Sequence, residues 1–295
     1  MPDDTINPVF SLVVPCYNEC MALPDAVLNL RKVIDVDYDY EIIAVDDGST
    51  DDTAEKLRQA QAADPSLVIV THPVNVGYGA ALKSGIREAK SDLVVITDAD
   101  GTYPNDRIGD LVQLASQYDM VVGSRTAAEA KYSNLRKIPK AFLTTYASWI
   151  AGRRIPDLNS GLRVYSKQVL LKYSHLLSNQ FSFTTTSTLA FLTNGYRVHY
   201  EPIGYSPRIG KSHIKPIRDT LRFVQLIVRM GMYFAPLRVF LPIILLLSLV
   251  SLASLAYDVF SLQNITDKSV ILMMFAMNTT FFALIADMID KRTKR

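Results

Sequence analysis

The chain is poor in the residues that build several common sites. Cys16 and Cys20 are its only cysteines in 295 residues. They cannot complete a zinc site by themselves, and a reducing compartment would keep them as thiols, so they read as structural filler. An excess of one charge is also missing: 31 Lys and Arg stand against 29 Asp and Glu, a net charge of +2. No basic surplus of the kind that nucleic acid attracts is present. Gly77-x-Gly79 lacks the third glycine of a dinucleotide fingerprint, and Lys83-Ser84 does not complete a phosphate-binding P-loop, which argues against NAD and ATP chemistry. No basic stretch followed by an apolar segment opens the chain, so no signal peptide is expected.

What is present is a row of short apolar runs, each ending in a polar or glycine-rich cluster. Leu93 to Thr97 runs straight into Asp98-Ala99-Asp100-Gly101-Thr102-Tyr103-Pro104. An apolar run of this length fits a strand buried on both faces of a parallel sheet, so the acidic pair falls at a strand's carboxyl end, where open α/β sheets bind ligands. Two carboxylates there offer hard oxygen ligands to Mg²⁺ or Mn²⁺. An acidic turn that merely leaves a strand is as common, so the triplet alone decides nothing.

Its company decides more. Phe10 to Pro15 leads into Cys16-Tyr17-Asn18-Glu19, Glu41 to Val45 into Asp46-Asp47-Gly48-Ser49-Thr50-Asp51, and Leu67 to Thr71 towards Asn75-Val76-Gly77-Tyr78-Gly79-Ala80. Helical patterns over 22–33, 53–62 and 79–89 alternate with these strands, with Ser49 and Asp52 reading as a capping-box variant before the second. Alternation predicts a mostly parallel α/β sheet with the clusters converging along one edge. Gly77 and Gly79 read as a tight strand-to-helix turn rather than as phosphate ligands.

The other end of the chain is different in kind. Leu241 to Tyr257 carries no charge, and Val270 to Ala286 none until Asp287. Each extends to about 20 residues, the length of a bilayer crossing. A buried helical hairpin is the alternative, but two runs apolar on every side favour membrane spans, expected over 237–260 and 269–289. Arg218, Arg222, Arg229 and Arg238 precede the first span, and Lys291, Arg292, Lys294 and Arg295 follow the second in the basic tail 290–295. The intervening turn carries only Asp258, Asp267 and Lys268, so the positive-inside rule puts both termini and the preceding domain in the cytoplasm. Between domain and spans, 214–236 has Arg218, Arg222, Gln225 and Arg229 at helical spacing among Ile217, Leu221, Val224, Ile227 and Val228. That pattern predicts an amphipathic helix in the membrane interface, with packing on the preceding domain as the alternative.

The succession PCYNE, VDDGSTDDT, NVGYGAALKSG, DADGTYP and Gly123-Ser124-Arg125 resembles family 2 glycosyltransferases of the GT-A fold, in particular the polyprenyl-phosphate glycosyltransferases. The resemblance covers about Phe10 to Ser212, and the soluble domain is accordingly expected over 1–213. It implies a Rossmann-like, mostly parallel GT-A domain followed by an interface helix and a two-helix transmembrane hairpin. It also implies a nucleotide pocket with Pro15, Tyr17 and Glu19 on one side and Asp47 on the other. A carboxylate there can accept from a ring N–H, which suits a UDP- or GDP-sugar. Asp98 would approach the ribose or a metal-bound water and Asp100 the Mg²⁺ or Mn²⁺ itself. Thr102, a weaker third ligand, stands where relatives of dolichol-phosphate mannose synthase often carry Gln.

The acceptor implied is a polyprenyl phosphate, dolichyl or undecaprenyl. Its phosphate has four candidate basic sites: Arg125, Arg136, Arg163, and the segment Arg208, Lys211 and Ser212, since guanidinium forks suit phosphate oxygens. Arg125 joins Asp98 and Asp100 as a candidate catalytic residue. The expected reaction is a single inverting displacement at the anomeric carbon, with an acceptor phosphate already anionic near neutral pH. A polysaccharide synthase is the first rival, but the sole tryptophan, Trp149, sits in Ala-Ser-Trp, outside the Gln-x-x-Arg-Trp context such enzymes carry. A non-catalytic nucleotide-sugar-binding membrane protein is the second, and retention of both aspartates speaks against it. Packing of the spans could support a homo-oligomer.

Overall fold

The computed structural model describes residues 9–20, 30–34, 39–126, 134–206 and 216–293; within them the side chains of 134–142, 216–223 and 292–293 are not described. The strands are β1 (Phe10–Cys16), β2 (Tyr40–Asp46), β3 (Val68–Thr71), β4 (Leu93–Ile96), β5 (Met120–Ser124), β6 (Arg163–Ser166) and β7 (Val198–Pro202). They form one sheet in the order β3-β2-β1-β4-β6-β5-β7. All neighbours run parallel except β6, which runs against both β4 and β5. The helices are α1 (Leu30–Val33), α2 (Thr53–Ala63), α3 (Tyr78–Glu88), α4 (Ile108–Leu114), α5 (Asn134–Ala151), α6 (Lys167–Lys172), α7 (Phe183–Thr193), α8 (Pro216–Phe234), α9 (Pro236–Tyr257) and α10 (Asp267–Thr293).

The unbroken apolar strands follow from burial on both faces, with alternate side chains serving opposite layers. Val13, Ile43, Val45 and Ile96 pack with Leu82 and Ile86 of α3 and with Phe183 and Phe191 of α7. Leu12, Val14 and Ile42 face the other layer, with Leu57 of α2 and Ile108 and Leu111 of α4. The antiparallel β6 matters most for the site. Its register pairs Ile96 with Arg163, so the segment leading into β6 lies beside the carboxyl end of β4. The capping box expected before α2 does not form: Asp52 makes no side-chain cap bond. Asp51 instead accepts from the Thr53 amide at 3.0 Å, and Ser49 donates its own amide to Asp46.

Helix α8 is tied to the domain more closely than a separate interface element would be. Ile227, Met230 and Phe234 are buried in the same apolar cluster as Ile150, Phe183 and Phe191. Gly231 lies so near α5 and α9 that a β-carbon there would meet Ile150 and Val239 at 3.0 and 2.7 Å. The opposite face, with Gln225, Arg229, Met232 and Tyr233, is exposed. The start of α9 is pinned as well: Trp149 donates to the Arg238 carbonyl at 3.0 Å, and Arg238 donates to that of Ile150 at 2.7 Å. The core of the domain therefore extends to about Val239, past the boundary at 213.

Beyond it α9 and α10 form a hairpin. Two stretches, Pro236–Leu262 and Asp267–Lys291, are long and apolar enough to cross a membrane, and only 11% and 17% of their apolar windows are buried. That exposure is the opposite of a core hairpin, because Leu245, Leu246, Leu249 and Phe282 all lie more than half exposed. The two helices meet along small residues, with Ser251, Ser269, Ala276 and Ala283 buried at the seam and Ser254 bonded to Ser269 at 2.7 Å. Asp258 closes the turn by accepting from the Thr266 amide and hydroxyl at 2.8 and 2.5 Å.

Candidate active site

The polar clusters do converge along the carboxyl edge of the sheet. After β1, Asn18 adopts a left-handed φ of 53°. Its side chain accepts from the Thr50 amide at 2.8 Å, while its own amide donates to Ser49 Oγ at 3.1 Å. The Glu19 and Cys20 amides donate to Thr53 and Asp51, so the first cluster is latched to the second. Asparagine tolerates that backbone better than a branched residue does, which is why it sits at this turn. Tyr17 stands exposed at the rim and Pro15 lies within β1. Burial, with Asp46 and Glu19 nearby, pushes the Cys16 thiol far above its ordinary value, so it is inert packing.

Asp47 departs from its expected place. Its side chain is buried and engaged by the β3–α3 segment: Oδ1 meets His72 Nδ1 at 2.7 Å and the Val76 amide at 3.0 Å, and Oδ2 accepts from the Gly77 amide at 2.8 Å. His72 is in turn bonded through Nε2 to Ser84 Oγ at 2.9 Å. Asp47 thus shapes the wall of the cleft by fixing a loop, rather than presenting an open carboxylate to a base. Gly77, at φ 111°, and Gly79 admit the backbone of 178–180; a β-carbon at Gly79 would lie 2.1 Å from the Ser178 carbonyl. The tight turn expected there is present, and its cause is this close approach.

The acidic pair lies next to β6. Asp100 is buried, and its Oδ1 accepts from the Thr102 hydroxyl at 2.7 Å and amide at 3.2 Å. Thr102 therefore orients Asp100. Asp98 Oδ1 accepts from the Tyr78 hydroxyl at 2.8 Å. Burial first, and then the Asp98 charge, push the Tyr78 phenol well above its ordinary value, so it stays a donor at neutral pH. Among the described residues no group of three His, Cys, Asp or Glu side chains gathers to hold a metal. Two carboxylates are nevertheless the donor set that Mg²⁺ takes when water and phosphate oxygens complete its shell. Asp98 and Asp100 fit a divalent ion that arrives with a diphosphate.

Arg125, at the end of β5, grips Asp157 with Nε–Oδ2 and Nη2–Oδ1 bonds of 2.8 Å each. Burial opposes ionisation of Asp157, but the hydrogen bonds and charge of Arg125 outweigh it and hold the carboxyl below its ordinary range. The guanidinium also lies 5.2 Å from the centre of the Tyr205 ring, which meets Tyr103 edge-on. Arg125 thus lies at the carboxyl edge of the sheet, in an ion pair.

Arg163 corrects the sequence reading outright. It is fully buried, and donates to the carbonyls of Ser160, Leu158 and Thr184 at 2.7, 2.9 and 3.1 Å and to Thr188 Oγ1 at 2.7 Å. A guanidinium enclosed in this way cannot meet a lipid phosphate; it fixes the loop that carries Asp157 and Gly161. The backbone of α5 passes through Arg136, whose side chain lies outside the described residues, as do Arg208, Lys211 and Ser212. Tyr78, Asp157 and Tyr103 were not legible as site residues. Tyr78 stood between two glycines whose turn took all the attention.

A seven-stranded, mostly parallel mixed sheet with acidic residues at its carboxyl edge is the GT-A arrangement. Residues 11–174 match the model of glycosyl transferase family 2, and residues 235–291 match that of the GtrB C-terminal hairpin. The chain belongs to glycosyl transferase family 2. Among curated relatives, the undecaprenyl-phosphate 4-deoxy-4-formamido-L-arabinose transferase of Pseudomonas savastanoi pv. phaseolicola is 31% identical over 191 residues, 61% of this chain and 56% of the relative. A dolichyl-phosphate beta-glucosyltransferase of Trichomonas vaginalis is 32% identical over 179 residues, 56% of this chain and 55% of the relative. The chain thus spans a little over half the length of the curated relatives it matches. Among solved structures, glucosyl-3-phosphoglycerate synthase from Mycobacterium tuberculosis, with Mn²⁺, UDP and glucosyl-3-phosphoglycerate, superposes with a TM-score of 0.56 at 16% identity, covering 76% of this chain and 80% of that one. At that identity the likeness speaks to fold.

Proposed function

We propose that this protein is a membrane-bound inverting glycosyltransferase that moves a hexose from a UDP- or GDP-sugar to a polyprenyl phosphate. One observation carries the reading above others: the Asp98–Asp100 pair lies at the carboxyl edge of a GT-A sheet, in a domain whose core runs directly into an exposed apolar hairpin. An active site tethered at a bilayer has a lipid as its natural acceptor. Both named relatives act on lipid phosphates, undecaprenyl in one and dolichyl in the other, which supports the same acceptor class here.

In this reading Asp98 and Asp100 hold the donor's divalent ion, Mg²⁺ or Mn²⁺, as the Mn²⁺- and UDP-bound neighbour suggests by its fold. That ion, when bound, supplies positive charge against the departing diphosphate. Pro15, Tyr17 and Glu19 line the nucleotide side, with Asp47 keeping the facing loop in place. Thr102 keeps the Asp100 carboxylate aimed. The Arg125–Asp157 pair and Tyr205 form the opposite wall, and Arg136, Arg208, Lys211 and Ser212 supply cationic and hydroxyl contacts to the acceptor phosphate. The acceptor oxygen is already anionic near neutral pH, since a phosphate monoester's second pKa is about 6, so no side chain has to remove a proton. The basic residues outside both spans support a cytoplasmic side for the domain and the tail, where nucleotide sugars are made.

The test uses purified full-length protein, a panel of labelled nucleotide sugars and one polyprenyl phosphate. A lipid-linked monosaccharide made from one donor is expected. Sugar delivered only to water or protein would sink the assignment, and polymer formation would favour a synthase.

A further inference from the structure

Asp98 is held from two sides by residues that no metal or nucleotide has to touch. On one side the Tyr78 hydroxyl donates to Oδ1 at 2.8 Å. On the other, the carboxylate rests on the backbone of Gly161, where an added β-carbon would lie 2.7 Å from Oδ2 and 3.0 Å from Oδ1. Both contacts are built into the fold. Tyr78 opens α3 between two glycines that pack under 178–180, and its ring stacks on Phe181 with centroids 5.6 Å apart. Gly161 donates its amide to Tyr103 Oη at 2.6 Å, and Arg163 braces the residues just before it. A β-branched or even an alanyl side chain at 161 would push the carboxylate aside, because the atoms it meets are the far end of a short side chain rather than backbone.

We infer that Tyr78 and Gly161 are positioning residues for the metal–diphosphate site, acting together through the Asp98 carboxylate. The inference rests on the proposed role of Asp98 in donor binding and adds two residues to it. Tyr78 supplies a hydroxyl donor to Oδ1, and Gly161 supplies the absence of a side chain beside both carboxylate oxygens. A hydrogen bond to a charged group is worth on the order of tenfold or more in an equilibrium constant. Removing the Tyr78 hydroxyl loosens the carboxylate and a side chain at 161 displaces it, so either change shifts it from the position in which it would meet the ion.

The experiment is a double-mutant cycle on the full-length protein in detergent, read as binding of Mn²⁺ with UDP and of Mn²⁺ with GDP by calorimetry. Tyr78→Phe and Gly161→Ala should each weaken binding of whichever nucleotide the wild type prefers by about tenfold, with ligand-free melting temperatures close to wild type. In an Asp98→Ala background either change should cost less than about twofold, since no carboxylate is left to position. Wild-type affinity in both single variants, tighter binding in Tyr78→Phe, or undiminished losses on top of Asp98→Ala would overturn the inference. A wild-type protein that binds neither nucleotide with Mn²⁺ would overturn the donor-site reading beneath it. A Gly161→Ala protein that fails to fold leaves Tyr78→Phe, which removes a single oxygen and adds no atom to the core, to decide the matter alone.

Discussion

Arg125 and Asp157 face each other across the edge of the sheet as a fork on a fork, two bonds of 2.8 Å between side chains that are 13% and 4% exposed. The pair joins the end of β5 to the loop before β6, which holds that side of the cleft in one shape. Its stability contribution depends on pH in a defined direction. Asp157 has a folded pKa below its unfolded value, so the contribution is complete above the unfolded value, about 3.9, and fades as pH falls through the folded one. The difference in unfolding free energy between wild type and Arg125→Gln should therefore be constant from about pH 5 to 8 and shrink below about pH 4. Urea melts across that range would show it; a difference that grows on acidification would reverse the assigned sign.

Asp100→Asn keeps the volume and removes the charge. Transfer should fall below detection while the ligand-free melting temperature stays within a few degrees of wild type, because the carboxylate's bonds to Thr102 are local to one turn. Turnover near normal at saturating Mg²⁺ or Mn²⁺ would remove Asp100 from the metal site.

Arg163→Leu should behave as a folding variant and not as an acceptor variant. It strands the carbonyls of Leu158, Ser160 and Thr184 in the interior, a loss of roughly 1–3 kcal/mol for each one left without a donor. Lysine should rescue little, since one ammonium cannot reach all four acceptors that the planar fork spans. A stable Arg163→Leu protein with a raised KM for polyprenyl phosphate alone would return this residue to the acceptor site.

Truncation separates the domain from its anchor. A chain ending near Phe240 keeps Ile227, Met230, Phe234 and Val239 in the core and should be soluble and bind nucleotide. One ending at 213 uncovers Ile150, Phe183 and Phe191 and should aggregate, since each large apolar side chain left exposed forfeits about 1.5–3 kcal/mol. The longer fragment should lose far more activity on long-chain acceptors than on short soluble ones, because confinement to one surface is lost. Equal solubility of both fragments would put α8 outside the core after all.

The strands and the acidic edge were legible because each apolar run is unbroken and ends in a cluster, and because Leu241 to Tyr257 and Val270 to Ala286 exceed what a soluble core helix needs. Partners across the sheet were not. Sequence distance hides that β6 runs antiparallel beside β4, and only that register brings Gly161 to Asp98 and Asp157 to Arg125. For the same reason Arg163 looked like a ligand for the acceptor phosphate: a guanidinium's fate depends on which carbonyls surround it, and those come from Leu158, Ser160 and Thr184. Asp47 repeats the pattern, an apparent cleft carboxylate spent on the backbone of Val76 and Gly77. In α8 both halves of the pattern were visible, the arginine stripe and the apolar face, and the apolar face belongs to the domain's own core, which the sequence offered only as the alternative to the membrane interface.

The most direct measurement incubates the full-length protein in lipid nanodiscs with polyprenyl phosphate, Mg²⁺ or Mn²⁺ and radiolabelled UDP- or GDP-hexose, and follows label into the organic phase. A single lipid-linked hexose of inverted anomeric configuration, formed with wild type and absent with Asp100→Asn, is the predicted result. Nucleotide binding without consumption of the donor, or label that leaves the nucleotide yet never enters the lipid, would contradict it.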